Sequence, residues 1–239
     1  MRPKREIALM EAVRVHDAPM IKFLLERGAV DNAHELFSLA ALNDCPEVLE
    51  VLLDVAGFDI ELPLAGWGAT MLQRTAWYCR TNSVRFLLNI GANIHARTSS
   101  HGRTALHMIG EHLHSPVPTI MLLIERGVDI GARDNLGQTA LHTAASHNRS
   151  SVVRALLDIE DIRTFFLEAT DMDGCTALHM AARSVNTNII EMLLAAGANA
   201  EAGDKNQNTP LDLANRARLR LRRGTTAVEM LTKYCETKK

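Results

Sequence analysis

Aromatic side chains are scarce in this chain, with two Trp, two Tyr and six Phe making up 4% of 239 residues. Any core must be filled by Leu, Ala, Ile, Val and Met instead, and a hydrophobic fraction of 47% supplies enough of them to exclude a disordered polymer. Small and aliphatic side chains suit closely packed helices. Cysteine is sparse as well. Cys45, Cys79, Cys175 and Cys235 are widely separated and form neither a CxxC pair nor a dense framework, so reduced thiols in a cytoplasmic or nuclear protein are expected. No run approaches the roughly 18 apolar residues of a membrane span. The polar start, Met1-Arg2-Pro3-Lys4-Arg5-Glu6, lacks the apolar core of a signal peptide. Charge of one sign is also missing, since 26 Lys and Arg against 28 Asp and Glu leave a formal net charge of -2. That balance argues against nucleic acid or an anionic membrane as general partners, and any basic site must be local.

Catalytic signatures are absent too. The chain has no Gly-rich phosphate loop after a strand, no GxSxG elbow and no HExxH pair, and its acidic residues are scattered. No enzymatic activity, cofactor or metal is therefore expected.

What the sequence has is repetition. Gly102-Arg103-Thr104-Ala105-Leu106-His107, Gly137-Gln138-Thr139-Ala140-Leu141-His142 and Gly174-Cys175-Thr176-Ala177-Leu178-His179 are near-copies, and Asn208-Thr209-Pro210-Leu211-Asp212 echoes them. The threonines are spaced by 35, 37 and 33 residues, a period in the range of stacked repeat arrays. Each unit reads as a polar turn, a helix opened by Thr, a short loop, and a second helix carrying a Leu-Leu pair before a Gly. Thr serves as an N-cap, and Gly28, Gly91, Gly127 and Gly197 stand where a helix can end in a left-handed residue. Leu193, Leu156 and Leu87 each lie 17 residues after Thr176, Thr139 and Thr70, and the same offset back from Leu52 and Leu24 reaches Glu35 and Ile7. Seven units result, at about 5–33, 34–67, 68–101, 102–136, 137–173, 174–207 and 208–239.

These motifs resemble the ankyrin repeat, a 33-residue unit with a T-P-L-H-x-A pattern. TALH together with Leu193-Leu194-Ala195-Ala196-Gly197-Ala198-Asn199 carries the resemblance most specifically. It implies an all-α fold over residues 5–239, an ankyrin-repeat solenoid of stacked antiparallel helix pairs with protruding hairpin loops. Extra residues around Glu111 to Pro118 and Ile159 to Leu167 are expected to bulge without breaking the stack, and the first and last units to act as polar caps.

Several constellations invite a chemical reading. His107, His142 and His179 resemble a metal trio, but equivalent positions on adjacent helices lie about 8–10 Å apart, too far for one ion at roughly 2.1 Å from each nitrogen. Hydrogen bonds that tie each helix start to a neighbouring loop are expected of them instead. Glu111, His112 and His114 lack a clear fourth ligand, and Cys45 and Cys79 are poorly placed for a disulfide. Trp67, Trp77 and Tyr78 cluster in the third unit, where aromatics are either binding anchors or fillers beside an imperfect repeat.

The resemblance places variable, partner-facing positions at Arg74, Met108, Glu111, Thr143, His147, Met180 and Arg183 on helices, and at Arg133, Asn135, Leu136, Met172 and Lys205 on hairpins. The function it implies is non-enzymatic: a monomeric protein-protein interaction module or adaptor that binds a partner protein on its concave face. An alternative is a nuclear regulator using Arg216, Arg218, Arg220, Arg222 and Arg223 to bind an acidic protein or nucleic acid, although the same cluster would serve as a solubilising cap. An enzyme accessory subunit is a third reading.

Overall fold

The computed structural model describes residues 4–28, 33–56, 59–63, 68–110, 115–159, 166–221 and 224–237, and among them all regular structure is helical. The helices come in consecutive pairs: α1 (Lys4–Arg14) with α2 (Ala18–Glu26), α3 (Ala33–Leu42) with α4 (Pro46–Ala56), α5 (Met71–Trp77) with α6 (Thr81–Asn89), and α7 (Ala105–Met108) with α8 (Val117–Glu125). They continue as α9 (Ala140–Ser146) with α10 (Ser150–Leu157), α11 (Ala177–Ser184) with α12 (Thr187–Ala195), and α13 (Pro210–Leu221) with α14 (Thr225–Thr237). Besides packing within its pair, each odd-numbered helix stacks on the next odd-numbered helix and each even-numbered one on the next even-numbered helix, which makes a two-layered solenoid.

The pattern of small residues explains the close stacking. Leu141, Ala144 and Ala145 on α9, and Leu178, Ala181 and Ala182 on α11, are at most 1% exposed. Alanine in these stripes lets neighbouring backbones approach, while each buried leucine contributes about 1.5–3 kcal/mol. The bulk comes from the second layer, through Ile120, Leu123, Val153, Leu156, Ile190 and Leu193. In the long connection after α10, Phe166 is fully buried at the start of a single helical turn at 166–168, so this extra segment contributes a large side chain to the core.

Caps behave as their residue types dictate. Thr70, Thr104, Thr139 and Thr176 sit in extended backbone ahead of α5, α7, α9 and α11. Gly28, Gly91, Gly127 and Gly197 have φ of 74°, 94°, 79° and 100° just past the second helices. Within pairs the reversal also needs a left-handed residue, supplied by Asp44, Cys79 and Asn148 at φ of 59°, 55° and 57°. Val185 does the same at φ 58°, a strained choice because its β-branch crowds the backbone. All four cysteines are free thiols, three of them buried.

Hairpins project between one pair and the next. Asp134 Oδ1 accepts from the Leu136 and Gln138 amides at 2.9 and 3.0 Å, and Asp171 Oδ1 from those of Asp173 and Cys175 at 2.9 Å each. Asp204 repeats the arrangement with Asn206 and Asn208 at 2.8 Å. Successive hairpins are laced together by single backbone bonds: Asn135 N–H to His101 O at 2.8 Å, Met172 N–H to Leu136 O at 2.9 Å, and Lys205 N–H to Asp173 O at 2.9 Å.

Candidate functional site

The recurring Thr and His build the scaffold of the site. The Thr139 N–H donates to His142 Nδ1 at 3.2 Å, and His142 Nε2 lies 3.0 Å from the Cys175 carbonyl oxygen in the following unit. A carbonyl can only accept, so the proton sits on Nε2 and Nδ1 keeps its lone pair for the Thr139 amide and hydroxyl. His107 makes the same bonds to Thr104 and to Gln138 O at 2.9 Å, and His179 to Thr176 and to Asn208 O at 3.0 Å. Burial pushes all three imidazoles below their ordinary pKa, which favours this neutral form. Gln73 takes the histidine's place in the third unit: its Oε1 accepts from Thr70 N–H at 2.8 Å and its Nε2 donates to Arg103 O at 2.9 Å. In the last unit Asp212 Oδ2 accepts from Thr209 at 2.9 Å and holds only its own helix.

This lattice of caps fixes the first helices relative to the hairpins, and a groove runs between them. One cleft in it, with a volume of about 190 Å³, has Trp77, Met108 and His147 on the helix side and Thr98, Ser100, His101 and Arg103 on the hairpin side. Trp77 ends α5 and is half-buried. Arg149 lies with its guanidinium 5.0 Å from the centre of the Trp77 ring, a cation–π contact. Its Nη1 also donates to Ile109 O at 2.6 Å. That bond satisfies a carbonyl left open because α7 stops after four residues, at Met108. A salt bridge between Arg103 Nε and Asp134 Oδ2, at 3.3 Å, steadies the opposite wall.

The expected contact residues divide into three groups. Arg133, Asn135, Leu136, Met172 and Lys205 are exposed on the hairpins, and His147 and Arg183 are exposed at the ends of α9 and α11. Leu136 and Met172, 55% and 59% exposed, stand on neighbouring hairpins and form an apolar spot. Arg74, Trp77 and Tyr78 are half-buried along α5. Met108, Thr143 and Met180, expected on the partner-facing side, are instead withdrawn, at 3%, 1% and 1% exposure. Thr143 turns its hydroxyl back to Ala140 O at 2.9 Å, and Arg183 Nη2 covers Met180 Sδ at 3.0 Å. Both are therefore part of the packing between helices. Arg133 is exposed yet tied, donating to Gly137 O at 2.8 Å and to the Thr170 carbonyl of the next unit. Trp67 and Glu111 lie outside the described residues, as do His112, His114, Arg222 and Arg223.

A family model described as ankyrin repeats (3 copies) matches residues 37–134, 72–165 and 160–238. The chain belongs to the ankyrin-repeat family. It is similar to human B-cell lymphoma 3 protein, 37% identical over 111 residues, which is 46% of this chain and 24% of that protein. It is also similar to neurogenic locus notch homolog protein 1 of Xenopus laevis, 31% identical over 124 residues, or 52% of this chain and 5% of that protein. The mouse protein of the same name is 34% identical over 114 residues, 48% of this chain and 4% of its own length. The aligned stretch thus spans a quarter or less of these relatives. Ankyrin repeats form a protein-interaction fold, and among the described residues no helix is long and apolar enough to cross a membrane.

Sequence patterns had no means of finding Arg149. Its importance arises because the shortened helix of the preceding unit leaves a carbonyl open and because Trp77 presents a ring face to the same guanidinium. Thr98, Ser100, His101 and Arg103 were equally silent, since in sequence they read as one more polar turn.

Proposed function

We propose that this ankyrin-repeat chain is a non-enzymatic interaction module or adaptor that binds a partner protein in the groove between its hairpins and first helices, on the concave face of the stack. The open cleft beside Trp77 carries the reading. An indole held by Arg149 on one side and open to a cleft of about 190 Å³ on the other is placed to take an apolar side chain of a partner. Leu136 and Met172 supply further apolar contact on the hairpins, while Asn135, Lys205, His147 and Arg183 form a polar rim. Recognition is by a preformed surface, so little conformational entropy is lost on binding. Free thiols suit a reducing compartment, cytoplasm or nucleus, and the module acts as a monomer.

The test is affinity capture with wild type and Trp77→Ala. The substitution is expected to weaken the principal partner by about tenfold or more, equivalent to at least about 1.4 kcal/mol. Unchanged capture by a folded Trp77→Ala protein would remove the groove from consideration.

A further inference from the structure

The last first-layer helix outruns its neighbour. α11 and α13 start in the same register, after Thr176 and Thr209, yet α11 ends at Ser184 after 8 residues while α13 runs for 12 to Leu221. Ala217 corresponds to Ser184, so Arg218, Leu219 and Arg220 project past the end of α11 as an overhang, with Leu219 75% exposed. Beside this overhang lies an open cavity of about 730 Å³. Residues 146–148 of the α9–α10 turn form one wall, Arg183, Ser184 and Asn186 another, and Arg220 the third.

The lining contains two guanidinium groups and no carboxylate. Among the described residues, neither Arg183 nor Arg220 makes an ion pair. Helix C-termini normally disfavour anions because their open carbonyls are partly negative. At the end of α9, beside the cavity, two of these carbonyls are occupied, since Ser184 Oγ donates to Ser146 O at 3.2 Å and Asn186 Nδ2 to Ala145 O at 2.9 Å. The walls are therefore pre-set by bonds between successive units, and the positive field of the two arginines is left to a ligand. Guanidinium forks pair best with planar oxyanions such as carboxylates.

His147 lines both this cavity and the Trp77 cleft, so the two are contiguous. A chain segment anchored beside Trp77 would continue over the cavity. We propose that the cavity is a subsite for an acidic stretch of the partner protein, with Asp or Glu carboxylates held by Arg183 and Arg220. This rests on the groove being the binding face, and it adds the chemistry of the partner's continuation. Peptide is favoured over nucleic acid because the lining has no aromatic platform for stacking bases, and two arginines make too short a track for a run of phosphates.

The experiment is fluorescence anisotropy with a labelled octaglutamate peptide, which has no apolar anchor and so reports on the cavity whether or not the Trp77 cleft holds a partner. Wild type is expected to bind it, and the double variant R183E/R220E to bind at least about tenfold more weakly. Arg154→Glu, on the exposed side of α10, serves as the matched charge control and is expected to stay within about twofold of wild type. Far-UV circular dichroism verifies that each variant is folded, and R183Q/R220Q replaces the double reversal if that protein unfolds. Equal loss in the Arg154 control, or no binding by wild type, overturns the proposal. So does an oligothymidine of similar charge that binds tighter than the peptide through the same two arginines, which would assign the cavity to nucleic acid.

Discussion

His142 reaches across 33 residues of sequence to place its Nε2 3.0 Å from the carbonyl oxygen of Cys175, while its Nδ1 accepts from the Thr139 amide at the start of its own helix. One side chain thus closes a helix end and fastens the next unit to it. Removing it leaves a buried amide and a buried carbonyl without partners, together with a cavity. His142→Ala is expected to destabilise the fold by about 2–4 kcal/mol. His142→Gln is expected to cost about 1 kcal/mol, because Gln73 already makes the equivalent pair of bonds in the third unit. Urea denaturation of the two variants measures both values, and equal losses would refute the interchangeability of Gln and His.

The same geometry sets a pH dependence. A doubly protonated imidazole would present a proton at Nδ1 to the Thr N–H that now donates there, and burial further penalises the charge at His107, His142 and His179. Their pKa values are lowered in the folded chain relative to about 6.5 when unfolded. Below that value the unfolded state binds protons the folded state refuses, so stability is complete above about pH 6.5 and falls as the solution is acidified. Each histidine can contribute a slope of up to about 1.4 kcal/mol per pH unit. Denaturation midpoints at pH 7.5 and 5.5 are expected to differ in this direction, and His142→Gln to flatten the slope.

Gly174 has φ of 80°, and a Cβ there would lie 2.9 Å from the Lys205 backbone nitrogen. That nitrogen donates to Asp173 O at 2.9 Å, the link between two hairpins. Gly174→Ala is therefore expected to cost about 1–2 kcal/mol from the left-handed backbone alone, with more from displacement of the neighbouring hairpin. Amide exchange at Lys205 should quicken while that at Leu193, in the core of α12, changes only with global stability. Unaltered exchange at Lys205 would mean that the hairpins are not mechanically coupled.

Much of this was legible in the chain. Thr before the later first helices, Gly after α2, α6, α8 and α12 and the Ala-Leu stripes are local choices whose backbone consequences do not depend on distant residues, so helix pairs and their stacking could be read off the period. The structural role of His107, His142 and His179 was legible as well, because the helix spacing excludes a shared ion. Where the copies differ, the reading was weaker. Trp77 and Tyr78 were correctly placed at the end of α5, but Met108, Thr143 and Met180 were expected to face a partner and are buried. Their positions are variable in the resembled family, and whether such a side chain folds inward depends on the size of what stands opposite it. Met180 is covered by Arg183 of its own helix and by Gln138 of the preceding unit, a contact that no spacing rule contains.

The sequence by itself determined the repeat, its all-helical character and its caps, since propensity, periodicity and the conformational needs of Gly and Thr act within a few residues. Only the tertiary structure decided where the surface opens. The early stop of α7 brought Arg149 onto Trp77, and the extra turn of α13 carried Arg220 beside Arg183, in both cases because a change in the length of one helix is felt by side chains stacked one or two units away. Such consequences are set by the register between layers, which forms only when the units are packed together.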